Sequence, residues 1–222
     1  MGSVTESFAD LNELLMDEHR HLMSPGTPPV NRLHAGSQIL ISRLLKPLLP
    51  GAVRCGMGTI FDIKDRQVGP LDIVACWEAY PTLGEGAASK FLAEGVIFVL
   101  QVRNWASDDL TQFGEMAGQL KKLERKNRQR IFCGAVSFDL LSLEHVGEFL
   151  RSPVGQAVDG VLSIGHNVTI RNTQGWYGST ERVPFVTGRG AAESLKAFSL
   201  ALLQSADGFL GLPFGMADYQ HL

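Results

Sequence analysis

The chain has 222 residues, 45% of them hydrophobic, and 20 Lys plus Arg against 23 Asp plus Glu give a formal net charge of −3. This length suits one domain, or one domain with decoration, and the charge rules out a uniformly basic nucleic-acid binder, leaving only a local basic patch open. No apolar run approaches the ~18 residues of a membrane span, and no basic stretch precedes an apolar one at the N-terminus, so neither a span nor a signal peptide is expected.

Residues 4–23 read as an amphipathic helix, with Phe8, Leu11, Leu15 and Leu22 on one stripe. Ser24-Pro-Gly-Thr-Pro-Pro29 is a breaker cluster, so residues 1–29 are expected to be a helix and a Pro-rich linker ahead of a domain over 30–222. A second helix is expected over 33–46, with Leu33, Leu40 and Leu44 inward and Pro47 and Pro50 closing it. Residues 52–63 read as a strand containing Gly56-Met-Gly58, and 71–77 as the next. After a Gly-rich loop over 83–88, residues 96–102 form a central strand, since nearly every side chain is apolar. A helix over 107–126 opens at Ser107-Asp-Asp109, whose side chains suit a helix N-terminus. A strand over 130–138, a short helix over 142–150, strands over 159–164 and 168–171, and a helix over 190–206 complete the order. Helices and strands interleaved in this way predict an α/β sandwich around a mixed sheet.

Polar residues interrupt two of the apolar strands. Asp72 sits just inside the 71–77 strand, and Gln101 and Arg103, two apart, share one face of the strand ending near 102. Together with Gly36-Ser-Gln38, Leu49-Pro50, Gly56-Met-Gly58, Leu71-Asp-Ile-Val74, the run from Glu94 to Arg103, Asp159-Gly-Val-Leu162 and Leu195-Lys-Ala-Phe198, this order resembles the PD-(D/E)XK nuclease superfamily. It is most similar to a family of uncharacterised bacterial domains within that superfamily, and the resemblance covers about residues 30–205. The implied fold is a restriction-endonuclease-like sandwich, a mixed central sheet flanked by helices.

The resemblance also implies a site, and here the residues depart from the pattern. In such nucleases acidic groups hold Mg²⁺ and a lysine positions or activates the attacking water. Carried over, the helix Glu becomes Gln38, the strand Asp is kept as Asp72, and Glu-x-Lys becomes Gln101 and Arg103. Two negative charges are lost. Arg103 stays protonated and cannot act as a base, while its fork suits a carboxylate. The expectation is therefore a degenerate site, with Arg103 paired to Asp72 and no cofactor, in a protein that binds DNA or a protein partner. The alternative is an active DNA endonuclease using Mg²⁺ or Mn²⁺ on Asp72; a third reading is a purely protein-interacting domain.

Elsewhere, Lys121, Lys122, Arg125, Lys126, Arg128 and Arg130 form the densest cation cluster. They suit either a phosphate backbone or the solvated C-terminal end of a helix. His19 and His21, two apart on a helix, do not face each other and make a poor metal pair; His166 has nothing nearby with ligand spacing. Gly84-Glu-Gly86 and Gly188-Arg-Gly190 lack the strand–turn–helix context of phosphate loops and read as turns. Trp77, Trp105 and Trp176 could stack bases but read first as core. Asp62 and Asp65 read as turn residues. Cys55, Cys76 and Cys133, widely spaced with no CxxC, suit reduced thiols in a cytoplasmic protein.

Overall fold

The computed structural model describes residues 3–25, 34–103, 107–126, 129–139, 142–174 and 182–211. Helix α1 (Val4–Leu22) begins at a capping box: the Ser3 hydroxyl accepts the Glu6 N–H and the Glu6 carboxylate accepts the Ser3 N–H. Helix α2 runs through an α-helical turn (Ala35–Ile39), a π-helical stretch (Leu40–Leu45) and a last α-helical turn (Lys46–Leu48). The strands are β1 (Val53–Phe61), β2 (Gln67–Trp77), the short β3 (Thr82–Leu83) and β4 (Lys90–Leu92), and β5 (Val96–Val102). Then follow α3 (Ser107–Leu120), β6 (Phe132–Ser137), α4 (Leu143–Arg151), β7 (Gly160–Ser163), β8 (Val168–Gln174), β9 (Arg182–Arg189) and α5 (Ala191–Leu210).

The described strands form one sheet in the order β3-β4-β1-β2-β5-β6-β7-β8-β9. β5, β6 and β7 run parallel, whereas β2 pairs antiparallel with β5, and β7, β8 and β9 pair antiparallel in turn. The parallel centre explains why the 96–102 run carries no alternation: both faces are covered. Successive side chains go to opposite sides. Val74, Cys76 and Val99 join Leu110 and Phe113 of α3 and Val146 and Phe149 of α4 in one core. Ile73, Ala75, Phe98 and Leu100 join Leu15 of α1, Leu40 and Leu44 of α2 and Phe198 and Leu202 of α5 in the other. Helix α1 is thus part of a core layer, with Leu15 fully buried.

Three expectations are corrected. The strand read as 71–77 begins at Gln67 and contains Pro70. Its pairing with β5 starts only at Ile73, so Pro70 lies where no N–H is demanded on that side. Strand β9 replaces the plain turn read at 188–190, with Gly188 inside the strand and Gly190 next to it. The helix read as 107–126 ends at Leu120: three more N–H groups turn back to its carbonyls, and then the chain bonds elsewhere. The Glu124 N–H donates to Asp62 at 2.8 Å, and the Lys126 N–H to Glu94 at 2.7 Å.

The three cysteines are free thiols, and burial pushes them up to about 12 (Cys55), 11 (Cys76) and 12 (Cys133). Among the described residues no helix is long and apolar enough to cross a membrane.

Candidate functional site

The antiparallel register, Ile73 opposite Leu100 and Val74 opposite Val99, sets Asp72 against Gln101. Cross-strand partners share a face, so both side chains meet. The Gln101 Oε1 accepts the Asp72 N–H at 3.3 Å, and the Val102 N–H donates to Asp72 Oδ2 at 2.9 Å. Arg103, just past the strand, brings its Nε to 3.9 Å from the same oxygen. The three residues read from the strands therefore come together, and the guanidinium faces the carboxylate. Gln101 is 2% exposed and Asp72 7%, whereas the Arg103 side chain is 48% exposed. The site is a buried polar pair with a solvated cation at its mouth.

Gln38 is exposed on α2. Among the described residues of that region, His34 reaches the carboxylate, its Nδ1 3.6 Å from Asp72 Oδ1. His34 holds a left-handed backbone, φ 64°, immediately before α2, a conformation in which His is one of the better tolerated residues. Gly36 lets the helix come this close: a Cβ there would stand 2.9 Å from Val102 Cγ1 and 3.0 Å from the Phe138 ring. The sequence held no spacing signal for His34, because its approach depends on how α2 crosses the end of β5.

Burial raises the Asp72 carboxyl above the usual carboxylate range; the Val102 N–H, Arg103 and His34 oppose this without cancelling it. Asp62 is the contrast. Burial would raise it too, but the Glu124 N–H, the Arg66 side chain and the Lys64 and Arg66 N–H groups outweigh that and hold it at about 2. It is a buried capping carboxylate, more committed than the turn residue read from sequence.

The basic run divides. Lys121 Nζ donates to Asp159 Oδ2 and to the Ile131 carbonyl. Arg125 turns inward, donating to Val96 O at 2.6 Å and Gln129 O at 2.7 Å, with its guanidinium 5.7 Å over the Phe209 ring. These two cations hold the fold together. Lys122, Lys126 and Arg130 stay exposed, and Arg128 lies outside the described residues.

His19 stacks on Phe138 with ring centroids 4.2 Å apart, and burial lowers its pKa. Trp77 packs near Tyr80 and Phe209; Trp105 and Trp176 lie outside the described residues. Among the described residues no group of three or more His, Cys, Asp or Glu side chains is placed to hold a metal ion.

No protein-family model matches the sequence, and no curated protein matches it. Solved structures do. The Escherichia coli MS115-1 NucC structure in its cAAA-bound form superposes with a TM-score of 0.76 at 13% identity, covering 93% of this chain and 91% of that one. The Pseudomonas aeruginosa ATCC27853 NucC structure, also cAAA-bound, gives 0.75 at 14% identity, covering 92% of each chain. The apo form of the E. coli protein gives 0.68 at 14% identity, covering 91% of each. The chain shares the fold of these structures, a mixed sheet flanked by helices, which is the architecture that the resemblance implied.

Proposed function

We propose that this is a cytoplasmic nuclease-fold protein whose catalytic site is degenerate, and that it acts by binding DNA or a partner through the 30–222 domain. The observation that carries this reading is how the site spends its polar atoms. Asp72 Oδ2 accepts a backbone N–H and faces Arg103, and Gln101 Oε1 accepts the Asp72 N–H. One carboxylate and one engaged amide oxygen fit a divalent cation poorly, since Mg²⁺ and Mn²⁺ take oxygen donors with substantial negative charge. Arg103 cannot supply the proton transfer that a lysine could.

The active-enzyme reading, a Mg²⁺- or Mn²⁺-dependent endonuclease on Asp72, Gln101 and Arg103, is favoured by one thing: these residues keep the layout of such a site on two adjacent strands. Plasmid cleavage separates the two. Wild-type protein with Mg²⁺ or Mn²⁺ is expected to leave DNA intact, and Gln101→Glu with Arg103→Lys is expected to raise Mn²⁺ affinity and restore nicking. Wild-type cutting that is abolished in Asp72→Ala would install the enzyme instead.

For DNA binding, the exposed cations Lys122 and Lys126 are the contacts to test. Reversing both should flatten the slope of log K against log salt by up to about two units, at about 0.9 per phosphate. An unchanged slope would place the contact elsewhere, and no binding at low salt would leave the protein-partner reading. Among small molecules, the cAAA held by the two bound NucC structures is the first to titrate.

A further inference from the structure

The parallel strands place the Asp72–Gln101 pair at the C-terminal end of β5. At the other end, where β5, β6 and β7 begin, a second polar cluster has formed around Asp159. Arg130 comes from the segment before β6, Arg171 and Thr173 from β8, and Arg182 and Thr187 from β9; with Asp159 and Asn172 they line a cleft of about 380 Å³. No stretch of sequence announces it, because its cations are up to 52 residues apart (182 − 130).

The single carboxylate is already fully used. Asp159 takes Lys121 Nζ and the Cys133 N–H at 2.7 Å on Oδ2, and Arg182 Nη2 at 2.7 Å on Oδ1. Arg182 also donates to the Gln156 and Asn172 carbonyls at 2.7 and 2.9 Å, so its fork is engaged. Four cations (Lys121, Arg130, Arg171, Arg182) therefore share one anion.

Arg171 and Arg130 are the cations left over. Among the described residues Arg171 makes one long hydrogen bond, Nη1 to Gln204 Oε1 at 3.5 Å, and its buried Nε has no partner there. Thr173, two residues on and so on the same face of β8, has a buried hydroxyl without a partner among the described residues. The Arg130 side chain is exposed and makes no hydrogen bond or ion pair with the described residues. Unmet donors on a half-buried guanidinium beside surplus positive charge are costly, and a ligand supplying acceptors and negative charge removes both costs. Burial lowers the Arg171 pKa, with Asp159 opposing and Arg182 adding to the effect; an anion in the cleft reverses that balance.

We propose that this cleft binds a phosphate group, taken by Arg171 and Arg130 with the Thr173 hydroxyl as a third donor. The cleft volume lies within the range of small-molecule sites, so a phosphate borne on a small molecule is accommodated as well as the free ion.

Calorimetric titration at low ionic strength with inorganic phosphate, then with a nucleoside 5′-monophosphate, tests this. One phosphate should bind per chain. Arg171→Gln should weaken it about tenfold or more, as expected for a charge-assisted contact. Thr173→Val should weaken it about fivefold, the loss of one ordinary hydrogen bond. Arg130→Gln changes only an exposed side chain, so it keeps the test valid should the Arg171 variant fail to fold; it should weaken binding about threefold or more. Tighter binding of the nucleotide would assign the site to an organic phosphate, and equal binding to the free ion. No heat up to about 10 mM phosphate, or phosphate affinity unmoved in all three variants, would overturn the proposal. Duplex DNA that displaces phosphate far more strongly than the nucleotide does would also overturn it, by making the cleft a nucleic-acid surface.

Discussion

The two ends of the central strands hold one key carboxylate each, and they are built in opposite ways. At the C-terminal end of β5, Asp72 meets one guanidinium at 3.9 Å and one imidazole at 3.6 Å, and burial wins, so its carboxyl titrates above the usual range. At the N-terminal ends of β6 and β7, Asp159 is in direct contact with Lys121 and Arg182 and with the Cys133 N–H. The first carboxylate is under-compensated and sits beside a solvated, mobile-length side chain; the second is the hub of a part-buried network. The difference separates positions where a charge stabilises the fold from positions where it is tolerated. A carboxylate that costs stability and yet is placed opposite a same-face Gln-x-Arg pair is where a functional reading belongs. A saturated one, such as Asp159, is architecture, and only the cations it leaves unpaired remain free to bind something.

Mutation at the two ends should expose that contrast, and the largest effect is expected at Asp159. Asp159→Ala leaves Lys121 and Arg182, 13% and 12% exposed, without their anion. Removing one partner of such a pair costs about 3–5 kcal/mol, to be read from the urea midpoint with the slope unchanged. A loss below about 1 kcal/mol would mean that the network is replaceable and the contrast between the two ends false.

Asp62 supplies the intermediate case, a buried carboxylate held low. Asp62→Asn should lose about 1–3 kcal/mol at neutral pH, because an amide cannot accept all the N–H donors around it. The folded pKa, about 2, lies below the ordinary value. The stabilisation is therefore complete above about pH 4 and is lost as pH falls through about 2. Denaturation curves for wild type and variant should converge across that window; a gap that stays constant would deny the linkage.

The smallest effect, and of opposite sign, is expected at Asp72. A carboxyl whose folded pKa is raised binds its proton more tightly in the folded state, so the folded protein is penalised above that pKa and relieved below it. Asp72→Asn, which keeps an acceptor for the Val102 N–H, should be as stable as wild type or slightly more so at pH 7. That margin should shrink as pH falls toward about 4, the ordinary carboxylate value. A clear destabilisation at pH 7 would show Asp72 to be structural, and would remove the main reason for placing a site there.

Much of this is legible in the amino-acid sequence. Period-2 reading put Gln101 and Arg103 on one face, and the Asp-Ile-Val strand fell beside them, so the pair with Asp72 followed once those strands were neighbours. The helix and strand order was visible for the same reason: apolar runs of strand length and amphipathic stripes of helix length are local signals. What failed was equally physical. The end of α3 could not be read, because residues 121–126 follow helix-like composition but Glu124 and Lys126 give their N–H groups to Asp62 and Glu94, 62 and 32 residues away. His34 was invisible because its role depends on a glycine contact with Val102 and Phe138.

The amino-acid sequence by itself determined the class of fold, the face on which Gln101 and Arg103 lie and the density of cations in 121–130, since each is a property of composition or of a short repeat along one element. Only the tertiary structure decided which charges are spent. Lys121 and Arg125 were drawn into Asp159, Ile131, Val96 and Phe209, while Arg171, unremarkable in sequence, was left with an unmet donor beside Arg130 and Arg182. Whether a cation is free depends on the carbonyls and carboxylates that reach it across the sheet, and those partners are fixed by strand order and register rather than by neighbours in the chain.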